Sequence, residues 1–146
     1  MAIVRKDKLL AGYNGNLESV IIHDNAGTSA VASTNGVFVV DEGLMAGQRE
    51  VKKGRLAGAD DVTKDILFIH NPEVMYDGRK YKLEDYVIPE GEVSRGYHLF
   101  DGDILTLTED LFNEATLAEG DSLAVSGTNG KLGKYDTATI TPKVVF

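Results

Sequence analysis

Three histidines, twenty-three carboxylates and no cysteine set the chemistry open to this chain of 146 residues. His70 and Glu73 stand in a His-x-x-Glu spacing, which on a helix would place both side chains on one face and could ligate a metal. Pro72 lies between them and an apolar, strand-like run precedes them, so a helix is disfavoured there. Two ligands are also too few for a zinc site. His70 therefore reads as the polar end of a strand, and His23-Asp24 as a strand running into a turn. Asp101-Gly102-Asp103 resembles the middle of an oxygen-ligand loop, but the glutamate that closes an EF-hand loop is missing, and a hairpin turn explains the triplet.

Nucleophilic chemistry has no better foothold. Absence of cysteine removes thiolates, disulfides and zinc-thiolate sites. No Gly-x-Ser-x-Gly elbow occurs, and the hydroxyls of "GTSA" and "VSGTNG" sit where turns use them routinely. The acidic pairs Asp60-Asp61, Glu84-Asp85 and Glu109-Asp110 are expected by chance among so many carboxylates, and nothing marks the pocket that would raise one of their pKa values. "GTNGKLGK" (Gly127 to Lys134) does not fit a phosphate loop. No catalytic, cofactor-binding or metal-binding residue is assigned, no cofactor is expected, and the chain is read as not an enzyme.

The elements around these residues are short apolar or alternating runs between turn residues. Strands are expected at Glu18–His23, Val37–Val40, along "REVKKGRL", at Ile66–His70, Val93–Phe100, Asp103–Thr108, Ser122–Ser126 and Lys131–Asp136, with "PKVVF" as a last one. "DGD" and "GTNG" mark hairpins, and the Asn-Gly pairs at Asn14, Asn35 and Asn129 supply the positive φ of tight turns. Helix is limited to one or two turns, in Thr108–Gly120 with Thr108 as N-cap, and at Lys82–Val87. The fold class is mainly β: a compact antiparallel sandwich or barrel with one or two short helical turns and an extended N-terminal arm. Residues 1–146 form a single β-rich domain, with 1–10 as the arm and 113–146 as a C-terminal hairpin subregion reached through "NEAT".

The net charge of −8 repels phosphate backbones and anionic membranes, so neither nucleic acid nor membrane is an expected partner. No apolar run approaches the roughly 18 residues of a membrane span, and the first ten residues lack the apolar core of a signal peptide. "REVKKGR" (Arg49 to Arg55) reads as a solvated edge strand with charged residues outward. Arg5, Lys6 and Lys8 make the terminus basic against an acidic remainder, which suits an arm or edge strand that docks on an acidic neighbour.

The stretch "HNPEVMYDGRKYKLEDYVIPEGE" (His70 to Glu92) holds Tyr76, Arg79, Tyr81 and Tyr86, residue types enriched at protein interfaces. It reads as a short strand over Val74 to Tyr76 followed by a polar loop to Glu92, and that loop as a contact surface or as an intramolecular cover over one end of the β-core. The surrounding pieces "PEVMYD" (Pro72 to Asp77), "RGYHLFDGDILTLT" (Arg95 to Thr108) and "REVKKGRL" resemble small proteins encoded near the major capsid protein of tailed phages, often of Firmicutes hosts. The resemblance covers half to two thirds of the chain and stops near Asn113. It implies a head cement or decoration protein on the exterior of the virion, bound to the major capsid protein, with a homo-oligomer such as a trimer as one arrangement. The alternatives from the residues themselves are a small carbohydrate-binding or hydrolytic β-domain, using Tyr76, Tyr81, Tyr86 and Tyr97, or a tail or neck component.

Overall fold

The computed structural model describes residues 3–8, 16–74, 82–114, 116–135 and 142–146. Its strands are β1 (Val4–Lys8), β2 (Leu17–His23), β3 (Phe38–Leu44), β4 (Val51–Leu56), β5 (Ile66–Ile69), β6 (Val93–His98), β7 (Ile104–Leu107), β8 (Leu123–Ser126) and β9 (Lys131–Lys134). Five of them close into a barrel in the order β2-β4-β3-β5-β6, while β1 pairs with β7 and β8 with β9. The barrel pairings are antiparallel apart from β2 and β4, which run parallel with Ile22 opposite Gly54. The mainly β architecture expected from the sequence is the one observed.

Alternation along each strand sorts side chains into an inner and an outer face. Val20, Val39 and Leu67 are fully buried, and the glycines Gly54 and Gly96 lie against them. A Cβ on Gly54 would fall 2.2 Å from Val20 Cγ1, so the bore is filled by neighbouring side chains and leaves no room there. The outer face of β3, β5 and β6 carries Phe38, Phe68 and Tyr97 in register, with ring centroids 5.5 and 6.4 Å apart. Phe146 covers this row, its ring 5.4 Å from Phe38. That second apolar layer explains why every residue of β5 is buried, a pattern that alternation cannot produce.

The structure corrects several local expectations. "REVKKGR" is not an edge: β4 has β2 on one side and β3 on the other. Nor do all its charges face outward: Lys52 shares the inner face with Gly54 and meets Asp41 and Glu18, and charge says nothing of how many strands the backbone pairs with. "DGD" is a turn, with Asp103 N–H donating to Phe100 O, but not a hairpin. Both edges of β6 are taken by β2 and β5, so β7 leaves the barrel and takes β1 instead, Val4 opposite Leu107. "PKVVF" forms no strand; Phe146 instead exchanges two backbone hydrogen bonds with Leu123. Val74 is likewise outside any strand, and Met75 and Tyr76 lie outside the described residues. The helical turns are 3-10 turns at Leu83–Asp85 and Glu109–Leu111, with another at Ala59–Asp61 that the sequence did not announce. Thr108 makes no side-chain cap; its Oγ1 accepts from Ile3 N–H at 3.1 Å and so fixes the start of β1.

The β8–β9 hairpin forms across "GTNG" as expected, Ser126 opposite Lys131. Its turn is built into the barrel. Gly130 O accepts from Phe38 N–H and Gly130 N–H donates to Ala57 O, while Gly127 O accepts from Ala59 N–H. Asn113, expected in a linker, ties the hairpin down: its side chain donates to Ser126 O and exchanges hydrogen bonds with the Asn129 side chain. Ala124, Val125 and Leu132 join the same buried cluster as the barrel.

Candidate functional site

Two places on the barrel gather polar side chains. The first is one mouth of the bore, where register puts Glu18, Asp41, Lys52 and His98 on the inner face. Lys52 Nζ lies 2.6 Å from Asp41 and 3.0 Å from Glu18, and His98 Nε2 is 3.4 Å from Glu18. Burial pulls the Lys52 ammonium down, but its hydrogen bonds to Asp41 and Glu18 outweigh that and hold its pKa above the ordinary value. Every charge here has an opposite neighbour, so the cluster works as a polar plug. Nearby, Lys143 pairs with Asp65.

A related network lies outside the bore. Arg55 forks onto both oxygens of Asp61 at 2.9 and 2.6 Å and also holds Glu42. Asp61 further accepts from Lys64 and from Gly58 N–H. Burial pushes the Asp61 carboxyl up, but the hydrogen bonds from Arg55, Lys64 and Gly58 prevail and hold it far below the usual carboxylate range. The basic run "REVKKGR" is thus largely consumed internally: Lys52, Lys53 and Arg55 all face carboxylates of this chain.

The second place is the root of the long excursion between β5 and β6. Asn35, buried in the turn before β3, accepts from Asn71 N–H at 2.8 Å and donates to Asn71 O at 3.0 Å and to Glu73 at 3.2 Å. Its carboxamide imitates a strand partner for residue 71. Asn71 Oδ1 in turn accepts from Arg95 N–H at 2.8 Å, and the Asn71 side chain shares a hydrogen bond with the Tyr86 hydroxyl. On the returning side, Ile88 and Ser33 exchange backbone hydrogen bonds. The two ends of the excursion are therefore clamped onto one end of the barrel. The segments that run to and from this clamp expose apolar side chains among charged ones: Val74 is 81% exposed, Val87 49%, and Leu83 and Val93 45% each, with Lys82, Asp85, Glu90, Glu92 and Arg95 also exposed.

The residues singled out from the sequence fall in different places. Tyr76, Arg79 and Tyr81 lie outside the described residues. Tyr86 is half-buried against the core, its phenol pushed up mainly by burial. Arg5, Lys6 and Lys8 belong to β1, extended as expected and paired with β7, with a register shift between Lys6 and Lys8. Of the histidines, His23 directs Nδ1 at Ile21 O, and His70 directly follows β5 with its backbone N–H on Arg95 O. Glu73 serves Asn35. Among the described residues no three histidine, aspartate or glutamate side chains gather as metal ligands would, and no helix is long and apolar enough to cross a membrane. Asn35 and Asn71, which hold the excursion, were not legible in the sequence: Asn35 looks like any turn-forming Asn-Gly.

The class defined by these features is a mainly β protein on a closed five-stranded barrel, with a clamped surface excursion at one end. Comparison with protein-family models, curated proteins and solved structures returns no match for this chain.

Proposed function

We propose that the protein is a head decoration, or cement, protein of a tailed phage, which binds the major capsid protein on the outside of the assembled shell. The observation that carries this reading is the excursion at 71–93. It contains "PEVMYD", one of the three pieces that resemble cement proteins, it is clamped to the barrel through Asn35 and Asn71, and it presents exposed valines on the segments that the clamp holds. Binding residues concentrate on loops held by a stiff scaffold, and apolar side chains left in water mark surfaces that another protein covers. Such a module reinforces by area and repetition: many copies each bridge neighbouring subunits, and avidity resists the outward pressure of packed DNA. The carbohydrate-binding alternative is less well supported, because Tyr97 is buried in the core and Tyr86 is half-buried, leaving no exposed ring platform from those two.

The test is co-sedimentation with expanded, DNA-free shells of the phage that encodes the protein, beside unassembled capsid subunits. Strong binding to shells and weak binding to free subunits is the expected result. No binding to shells overturns the reading.

A further inference from the structure

We infer that Asn129 is a conditional deamidation site, sealed while the β8–β9 turn is docked on the barrel and opened when that turn lifts away. This goes beyond the decoration reading and does not depend on it. Glycine after asparagine favours the reaction, because a residue without Cβ leaves its backbone nitrogen unhindered. Gly130 N, its proton lost to hydroxide, attacks Asn129 Cγ. The new C–N bond closes a succinimide ring as the Cγ–Nδ2 bond breaks and ammonia leaves. Water then opens the ring at either carbonyl, giving aspartate or isoaspartate.

In the folded chain each group that must move is held. Asn129 is exposed, so hydroxide and water reach it. Its Oδ1, however, accepts from Asn113 Nδ2 at 3.2 Å and from Lys131 N–H at 3.3 Å, and its Nδ2 donates to Asn113 Oδ1 at 3.0 Å. The attacking nitrogen is engaged too, since Gly130 N–H donates to Ala57 O at 2.9 Å. Gly130 is itself buried against Phe38, where an added Cβ would lie 2.5 Å from Phe38 O. Asn113 is anchored in turn, its N–H on Leu132 O and its Nδ2 on Ser126 O. Asn35-Gly36 carries the same motif under a different seal. Asn35 is buried, its carboxamide holds Asn71 and Glu73, and Gly36 N–H donates to Ile69 O at 2.8 Å. Freeing Asn35 means opening the end of the barrel, whereas freeing Asn129 means lifting one surface turn, and local openings cost less than global ones. The product does not fit back. Aspartate at 129 has no donor for Asn113 Oδ1, and isoaspartate lengthens the backbone by a methylene just where Phe38 leaves no room. The reaction thus turns a transient undocking of the hairpin into a lasting one.

Peptide mapping by mass spectrometry, after incubation of the full chain at mildly alkaline pH, tests this. It resolves Asn129 from Asn35 and from Asn14, which lies outside the described residues. Asn129 is expected to deamidate at least about tenfold more slowly in the folded chain than in the same chain unfolded in guanidinium chloride. Guanidinium well below the unfolding midpoint is expected to speed the reaction at Asn129 before it does so at Asn35. Asn113→Ala removes the side chain that holds Asn129 and is expected to speed it about fivefold or more, with Asn35 keeping its wild-type rate. Asn129→Asp, the product itself, is expected to quicken amide hydrogen exchange at Gly130 while β5 stays protected. Equal rates at Asn129 in folded and unfolded chain overturn the inference. So does a simultaneous rise at Asn129 and Asn35 in guanidinium, which would mean global unfolding, or a folded Asn113→Ala variant with the wild-type rate at Asn129. Wild-type exchange at Gly130 in Asn129→Asp overturns the lasting undocking.

Discussion

Asp61 shows how one side chain can organise a region. Its carboxylate is nearly buried, yet four donors from Arg55, Lys64 and Gly58 converge on it. Its folded pKa lies well below the unfolded value of about 3.9, so the stabilisation is complete above that pH and is lost progressively as pH falls below it. Asp61→Asn keeps the shape but leaves Arg55 with a weaker partner. It is expected to cost about 3 kcal/mol at neutral pH, and the variant's stability should fall less steeply than the wild type's below about pH 4. Urea midpoints measured from pH 7 to pH 2 check both; parallel curves would refute the assignment. Asn35 is the second such residue. Asn35→Ala leaves Asn71 N–H and O without their buried partners and is expected to cost about 2–3 kcal/mol. Amide hydrogen exchange should quicken at Asn71 while the centre of β3 stays protected.

At the scale of elements, glycines decide how closely strands and turns approach. Gly54 in β4 sits where a methyl would meet Val20 at 2.2 Å and Val39 at 3.0 Å, whereas the nearest atoms to a methyl on Gly96 are at 3.1 Å. Gly54→Ala is therefore expected to destabilise by about 1–3 kcal/mol and Gly96→Ala by less. Calorimetric melting of the two variants gives the order, and a reversal would mean that the bore is packed differently. Gly130 fails for a different reason. It has φ of +68° and its missing Cβ would lie 2.5 Å from Phe38 O, a backbone atom that cannot swing away. Gly130→Ala should cost more than Gly133→Ala, where the nearest atom is the side-chain Oγ of Ser126. The comparison separates docking of the hairpin turn onto β3 from packing within the hairpin itself.

Over the whole molecule, 23 carboxylates against 15 lysines and arginines leave an acidic surface. Many of the cations are spent on ion pairs within the chain, as at Lys52, Lys53 and Arg55. Solubility should pass through a minimum near the isoelectric point of about 4.8 and recover on either side, as light scattering across a pH series will show. An acidic exterior also fits a protein displayed in many copies, because neighbouring copies repel instead of aggregating.

By itself the sequence determined the strand-rich class and most strand positions. β-branched runs such as "VFVV" and the "VII" of β2 favour extended backbone, and glycine after asparagine favours reversal, and both are local effects. It also determined that the "GTNG" hairpin forms, since both strands and their turn are contiguous. What only the tertiary structure decided is partnership at a distance. Closure of the barrel, the parallel β2–β4 pair and the departure of β7 to meet β1 depend on which edges remain free once the core is buried. The same holds for the excursion: its polar and aromatic residues were visible, but Asn35, 36 residues before Asn71, clamps it only because the fold carries the two side by side. Alternation reports one face of one strand, and a site assembled from several strands appears only when they meet.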